Sequence, residues 1–244
     1  MRVLYPEPSE TTVEQQVSGL EPSEHPLADR PFVAVNFAMT LDGRATINGR
    51  SGPIGSAVDS QMLHGLRSRF DAVMIGAGTL RAERYGRIIR DPQVRARRER
   101  LGLPHDPLAV IVSGRLDIPW DAPIFTDGGG RVLIFTRSDS EPPETATSMR
   151  IVRQADGVDL SDAMRHLRVE RGVRSVLCEG GSILHAQLQA AGLVDEVFLT
   201  IAPKLSGGPA LSILEGELPQ VAELELVWVL ESEGEIFTRY RRRV

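Results

Sequence analysis

Two stretches of this chain place glycine where a strand-like run gives way to a helix-like one: Val73-Met-Ile-Gly76-Ala-Gly78-Thr79 and Val176-Leu-Cys-Glu179-Gly180-Gly181-Ser182. A glycine turn entering a helix presents unpaired backbone N–H groups and the positive end of the helix dipole, which suits a phosphate or pyrophosphate. The plainer reading is that glycine only makes the turn. The first stretch is not the dinucleotide fingerprint Gly-x-Gly-x-x-Gly, because Arg81 stands where the third glycine belongs. Two such turns in one chain favour an anionic cofactor lying across strand ends. A third feature, Thr40-Leu41-Asp42-Gly43-Arg44, sets a hydroxyl and a carboxylate beside a glycine, as acid–base chemistry requires and as an ordinary turn also does. His64 and Arg67 lie three apart and share a helix face, with Arg90 farther on. Paired arginines grip phosphate or carboxylate, and equally they decorate surfaces. The runs Arg95–Arg100 and Arg239–Arg243 read as solvated faces.

Other chemistry is excluded by what the chain lacks. Of 28 basic residues only Lys204 is a lysine, so no Gly-Lys-Ser/Thr triplet and no P-loop exists, and a Schiff base would need Lys204. The five histidines (His25, His64, His105, His166, His185) are scattered, with no His-x-x-x-His or His-Glu-x-x-His pair, so no metal site is expected. Cys178 stands alone, without a disulfide partner or the companions of a structural zinc site. A net charge of −5 argues against nucleic-acid binding. No apolar run approaches the ~20 residues of a membrane span, and no secretory pattern opens the chain, so no membrane association and a cytoplasmic location are expected.

The elements that must position these residues follow from periodicity. Residues 1–30 hold six acidic residues and four prolines, a composition that predicts an extended or disordered lead-in. From residue 31 to 244 strand-length apolar runs recur: Phe32–Ala38, Ala72–Gly76, Leu108–Val112, Val132–Phe135, Ser175–Cys178, Val197–Ile201, Leu224–Leu230 and Glu235–Tyr240. Helical patterns lie over Val58–Phe70, with Ser56-x-x-Asp59 as a capping box, over Leu160–Val169 and over Ser182–Ala191. Such alternation predicts an α/β domain with a mixed, mostly parallel central sheet flanked by helices, ending in an antiparallel hairpin. That hairpin is either an interface with a second copy or an edge packed within the chain.

In this order the motifs resemble a known family. Leu41-Asp-Gly-Arg44, Leu63-His-Gly-Leu-Arg67, Asp71–Thr79, Glu179–Ser182, Gly192–Glu196 and Ile201–Gly208 are similar to the reductase domain of riboflavin biosynthesis, in bacteria usually the C-terminal half of a bifunctional deaminase/reductase. The likeness spans about residues 30–242; the deaminase half is missing, and residues 1–30 are too short to hold it. The resemblance implies a dihydrofolate-reductase-like fold, a homodimer, NADPH as cofactor and a small-molecule substrate. The implied reaction reduces the ribose of 5-amino-6-(5-phosphoribosylamino)uracil to ribityl by hydride transfer to C1′. Carried over by position, Thr40, Gly76, Gly78, Thr79, Gly180, Gly181, Ser182, Ile183 and Leu184 would hold the cofactor. Glu83 falls where the family has an aspartate near the nicotinamide, and Ser113 where a serine meets the cofactor. Ser51, Arg67, Arg87, Arg90 and Glu179 match substrate-binding positions, with arginines taking the 5′-phosphate. Either Glu179 or Asp42 would supply the proton, Glu179 being favoured to orient the pyrimidine.

Three departures from the family pattern lie around the substrate. Asn36 replaces a lysine, Pro53-Ile-Gly-Ser56 replaces Trp-Ile-Thr-Gly, and Glu83-Arg-Tyr85 with Arg87-Ile-Ile-Arg90 replaces Asp-Asp-Pro with Leu-Thr-Val-Arg. A dihydrofolate or pterin reductase and a non-catalytic nucleotide-binding dimer are therefore the alternatives.

Overall fold

The computed structural model describes residues 1–24 and 27–243; His25 lies outside the described residues. In chain order the elements are β1 (Arg2–Tyr5), β2 (Ser9–Glu10), α1 (Val13–Ser18), a 3-10 turn (Pro22–Glu24), β3 (Phe32–Thr40), α2 (Ala57–Arg67), β4 (Ala72–Gly76), α3 (Ala77–Glu83), α4 (Pro92–Arg100), β5 (Leu108–Val112), α5 (Pro123–Thr126), β6 (Arg131–Thr136), β7 (Ser148–Arg153), α6 (Leu160–Val169), β8 (Ser175–Cys178), α7 (Ser182–Ala190), β9 (Glu196–Ala202), β10 (Leu224–Ser232) and β11 (Glu235–Arg242). The mixed α/β architecture with an antiparallel C-terminal hairpin is as expected. Two compact units divide the chain: Met1–Glu21, Val33–Leu66 and Cys178–Val244 form the first, Pro22–Phe32 and Arg67–Leu177 the second.

In the second unit β4, β5, β6 and β7 pair in succession, all parallel. Their central residues Val73, Met74, Ile75, Val110, Ile111, Leu133 and Ile134 are buried. Such continuous apolar runs belong to parallel strands covered on both faces. Parallel pairing brings the carboxyl ends of β4 and β5 side by side, with Gly76 opposite Val112, one residue before Ser113.

In the first unit the strands follow the order β2-β1-β10-β11-β9-β3, antiparallel except for the parallel pair β9–β3. The hairpin between β10 and β11 turns through Glu233 and Gly234, both left-handed at φ 53° and 83°. Two such residues in a two-residue loop match the right-handed twist of the strands. β10 pairs with β1 and β11 with β9, so both outer edges of the hairpin are occupied within the chain.

The lead-in differs from its composition-based expectation. β1 pairs with β10, α1 carries a complete capping box between Thr12 and Gln15, and Val3, Val17 and Leu20 are buried. A few apolar residues and one strand pairing suffice to order a segment that is polar on average. Val17 packs so closely on α2 that a Cβ at Gly65 would lie 2.9 Å from its Cγ2.

The arginine runs are not wholly solvated either. Arg98 is fully buried, donating from Nε to Pro104 O at 2.9 Å and from Nη1 to Arg67 O and Phe70 O at 3.0 and 2.8 Å. Arg239 makes a two-pronged pair with buried Glu196, both bonds 2.8 Å. Among the described residues no helix is long and apolar enough to cross a membrane.

Candidate active site

The second unit presents its candidate residues at the carboxyl ends of β4 and β5. Gly76 is the N-cap of α3 and makes no side-chain capping bond, whereas α4 and α6 are capped by Asp91 and Asp159. The first amides of α3 are thus not engaged by a capping side chain. Gly78, in the first turn, lacks a left-handed φ, and a Cβ there would meet nothing nearer than Arg81 Nη2 at 4.0 Å. Neither backbone conformation nor packing requires glycine at 78. A glycine inside a helix costs about 1 kcal/mol relative to alanine, and here it leaves the backbone bare to anything that approaches it. The turn therefore fits a phosphate-bearing cofactor. Ser113 is buried behind β5, its amide donating to Phe135 O at 3.0 Å. Glu83 closes α3.

Two of the three candidate substrate arginines flank one short segment in this unit. The Arg67 guanidinium sits 5.4 Å from the Tyr85 ring centroid, and Arg90 Nη2 lies 3.1 Å from where a Cβ of Gly86 would stand. Arg87 is committed elsewhere, its Nε donating to Asp106 Oδ1 at 2.9 Å and its Nη2 to Oδ2 at 2.5 Å. Burial alone would raise the Asp106 pKa, but this clamp holds it below the usual carboxylate range. Arg67 and Arg90 are better placed than Arg87 for a substrate anion.

In the first unit the Thr40–Arg44 turn follows β3. Thr40 is buried; its Oγ1 donates to Asp42 Oδ1 at 2.6 Å and accepts from Arg44 N at 3.0 Å. Asp42 also accepts from the amides of Ser206 and Gly207, at 3.1 and 2.7 Å. Above all the Thr40 hydroxyl, then the Gly207 and Ser206 amides, hold its carboxyl down at about 2. A carboxylate so saturated is a brace between two loops and a poor proton donor near neutrality. Ser51 is exposed in the loop before α2, and Lys204 Nζ fastens that loop by donating to Pro53 O and Ile54 O at 2.9 and 2.7 Å.

At the end of β8, Cys178 is buried and burial pushes its thiol up to about 12, which removes it as a nucleophile. Glu179 and Gly180 follow, Gly180 at φ 112°, and Gly181 is the N-cap of α7 without a side-chain capping bond. Ser182 and Leu184 are buried while Ile183 is exposed, so of these three only Ile183 presents its side chain to the surface. His185 lies in the stretch Gly180–Gln187, but its sequence context does not single it out. It stacks on Phe37 at 5.0 Å, its Nδ1 lies 2.8 Å from Ile213 O, and its Nε2 lies 3.1 Å from Gln189 Nε2. The carbonyl partner requires a proton on Nδ1, and the amide leaves Nε2 as acceptor; burial lowers the pKa and keeps the ring neutral. His185 thereby ties α7 to the segment at 213, a signal hidden in the helical stripe because its partner is a distant backbone atom.

Comparisons with known proteins identify the family of the chain. The chain is 33% identical over 198 residues to a 2,5-diamino-6-ribosylamino-4(3H)-pyrimidinone 5′-phosphate reductase of Methanothermobacter thermautotrophicus, covering 77% of this chain and 85% of that protein. A protein of the same name from Archaeoglobus fulgidus is 30% identical over 195 residues, covering 77% and 88%. In fold, the chain is similar to a pyrimidine reductase-like protein of Corynebacterium diphtheriae, with a TM-score of 0.77 at 24% identity over 96% of this chain and all of that one. Residues 31–236 match the model of the RibD C-terminal domain, and the chain belongs to that family.

Proposed function

We propose that this protein is an NADPH-dependent reductase acting on a ribosylamino-pyrimidine 5′-phosphate, converting its ribose to a ribityl chain. The observation that carries the cofactor reading is Gly78, a glycine that neither backbone nor packing demands, in the uncapped first turn of α3. The substrate class is supported by the names of the two archaeal relatives, both covered over most of their length. When bound, the nicotinamide supplies a hydride; the protein supplies placement, exclusion of water and a proton.

Each residue then has a defined task. Amides of the Gly76–Thr79 and Gly180–Ser182 turns take cofactor phosphates, with the helix dipoles favouring the negative charge. Arg67 and Arg90, on either side of Tyr85–Gly86, grip the substrate 5′-phosphate. Glu179 orients the pyrimidine and is the carboxyl left for proton delivery, since Asp42 is held ionised as a brace. NADPH in place of NADH is part of the proposal.

Following NADPH oxidation with the 2,5-diaminopyrimidinone and 5-aminouracil ribosylamino phosphates, with NADH and dihydrofolate as further arms, tests the reading. Turnover of a ribosylamino pyrimidine, lost in Glu179→Gln while NADPH still binds, is the expected result. Turnover of dihydrofolate alone, or of neither pyrimidine, overturns it.

A further inference from the structure

A second feature of the Arg67–Leu177 unit lies at the other ends of its strands. A cavity of about 310 Å³ opens at the amino ends of β5, β6 and β7 and against the turn after α6. Its walls include Arg131, Arg150 and Arg171 together with apolar Pro104, Leu133 and Val173. β5 is five residues long, so the cavity is separated from the carboxyl end of that strand by about 13 Å. It is distinct from the Gly76–Thr79 turn and from Ser113.

The side chains converge for a reason that the register makes plain. Arg131 pairs with Ser148 and Leu133 with Arg150. Side chains alternate along a strand, so Arg131, Leu133, Ser148 and Arg150 project from one face, the two arginines as diagonal neighbours. Their Cα atoms are then about 8 Å apart, a span that two long side chains close on a single anion. No hydrogen bond or ion pair engages either guanidinium among the described residues. Arg171 is tethered through Nε, which lies 3.2 Å from His166 Nε2.

The arginines of the wall outnumber its acids. Asp71, the one acid in the wall, is buried, and its Oδ2 accepts from Ser23 Oγ, Arg174 N, Ser175 N and Ser175 Oγ at 2.9–3.2 Å. Those bonds hold the Pro22–Glu24 turn and the start of β8. In a chain of net charge −5, three guanidinium groups around one buried acid leave a locally positive site.

We propose that this cavity is a second ligand site, separate from the active site, that binds a small organic phosphate: Arg131 and Arg150 grip the phosphoryl oxygens, and the Pro104, Leu133 and Val173 surfaces receive its organic body. The volume suits a ligand of metabolite size. The assignment stands independently of which reaction the protein catalyses.

Pyrophosphate titrated into the whole, isotope-labelled protein and followed by amide resonances tests it. Saturable shifts are expected at Gly172 and Val173, weakened about tenfold or more in Arg131→Ala/Arg150→Ala and partly retained in Arg131→Lys/Arg150→Lys. Both arginines are exposed, so the variants should melt with the parent. Shifts confined to Gly78 and Thr79 would mean that pyrophosphate reads only the helix turn and would overturn the proposal. So would shifts at Gly172 that the double alanine variant leaves unchanged.

Discussion

Thr40 and Asp42 are joined by a 2.6 Å hydrogen bond from the threonine hydroxyl to the carboxylate, and the same carboxylate receives the amides of Ser206 and Gly207. The loop after β3 and the loop after β9 are therefore clasped by one side chain. Its charged form is the bonded form, which is why its pKa falls to about 2 from the usual 3.8. Between those values the unfolded chain takes up a proton that the folded chain refuses. The clasp is complete above about pH 4 and is lost as the pH falls through 2. Asp42→Asn should melt below the parent at pH 7, with the difference shrinking steadily as the pH is lowered from 4 to 2. A deficit of equal size at pH 7 and pH 2.5, measured by thermal melts, would show that the charge is not what matters.

Gly78 separates cofactor binding from folding. A Cβ there meets only the end of the flexible Arg81 side chain, at 4.0 Å. Alanine is the better helix former by about 1 kcal/mol, so Gly78→Ala should raise the melting temperature by about 2–4 °C in the free protein. The same methyl group would stand where a phosphate approaches the α3 amides. NADPH affinity is expected to fall at least about tenfold, a loss read by fluorescence titration. Unchanged affinity in a stable variant would remove this turn from the cofactor site.

How far the sequence discloses the molecule depends on where the information for each element sits. β4 and β5 are legible because Ala72–Gly76 and Leu108–Val112 are buried on both faces and read as unbroken apolar runs. α6 is legible because Leu160, Ala163, Met164 and Leu167 recur at helical spacing behind an aspartate cap. β7 is not, since Ser148–Arg153 mixes polar and apolar residues at a sheet edge, and α4 is not, since Pro-Gln-Val-Arg-Ala-Arg-Arg-Glu-Arg has almost no apolar stripe. The candidate residues divide likewise. Glycine turns announce themselves locally, whereas the commitment of Arg87 to Asp106, and of Asp42 to two remote amides, depends on partners that only the fold brings near.

Arg98 shows the cost of misjudging such a partner. In a run of arginines it looks solvated, yet its guanidinium is buried against the carbonyls of Arg67, Phe70 and Pro104. Burial lowers its pKa to about 10, so it remains charged at neutral pH. It fastens the chain just beyond α2, where Arg67 begins its reach toward substrate. Arg98→Ala strands three acceptors and opens a void, with an expected loss of about 3 kcal/mol and a melting temperature lower by about 6–12 °C. Through Arg67 it should also raise the substrate KM more than the NADPH KM. A variant as stable as the parent would show that water replaces the guanidinium without penalty.

Asp59 has the opposite pH dependence from Asp42. It lies on α2 with its carboxylate over Gly55, close enough that a Cβ at 55 would clash with it. Burial raises its pKa, and the nearby charge of Glu235 adds to the rise, against the pull of the Thr200 hydroxyl and Lys204. A raised pKa means that, just above the unfolded value of 3.8, the folded chain holds a proton that the unfolded chain has released. Stability from this group is present at low pH and declines as the pH rises through the folded pKa, where a half-buried charge is forced beside a second carboxylate. Asp59→Asn keeps an acceptor for Thr200 and removes that charge. It should therefore melt above the parent at pH 8 and converge with it near pH 4. Melts across that range decide the matter: an asparagine variant less stable at pH 8 would mean that attraction to Lys204 outweighs both burial and Glu235.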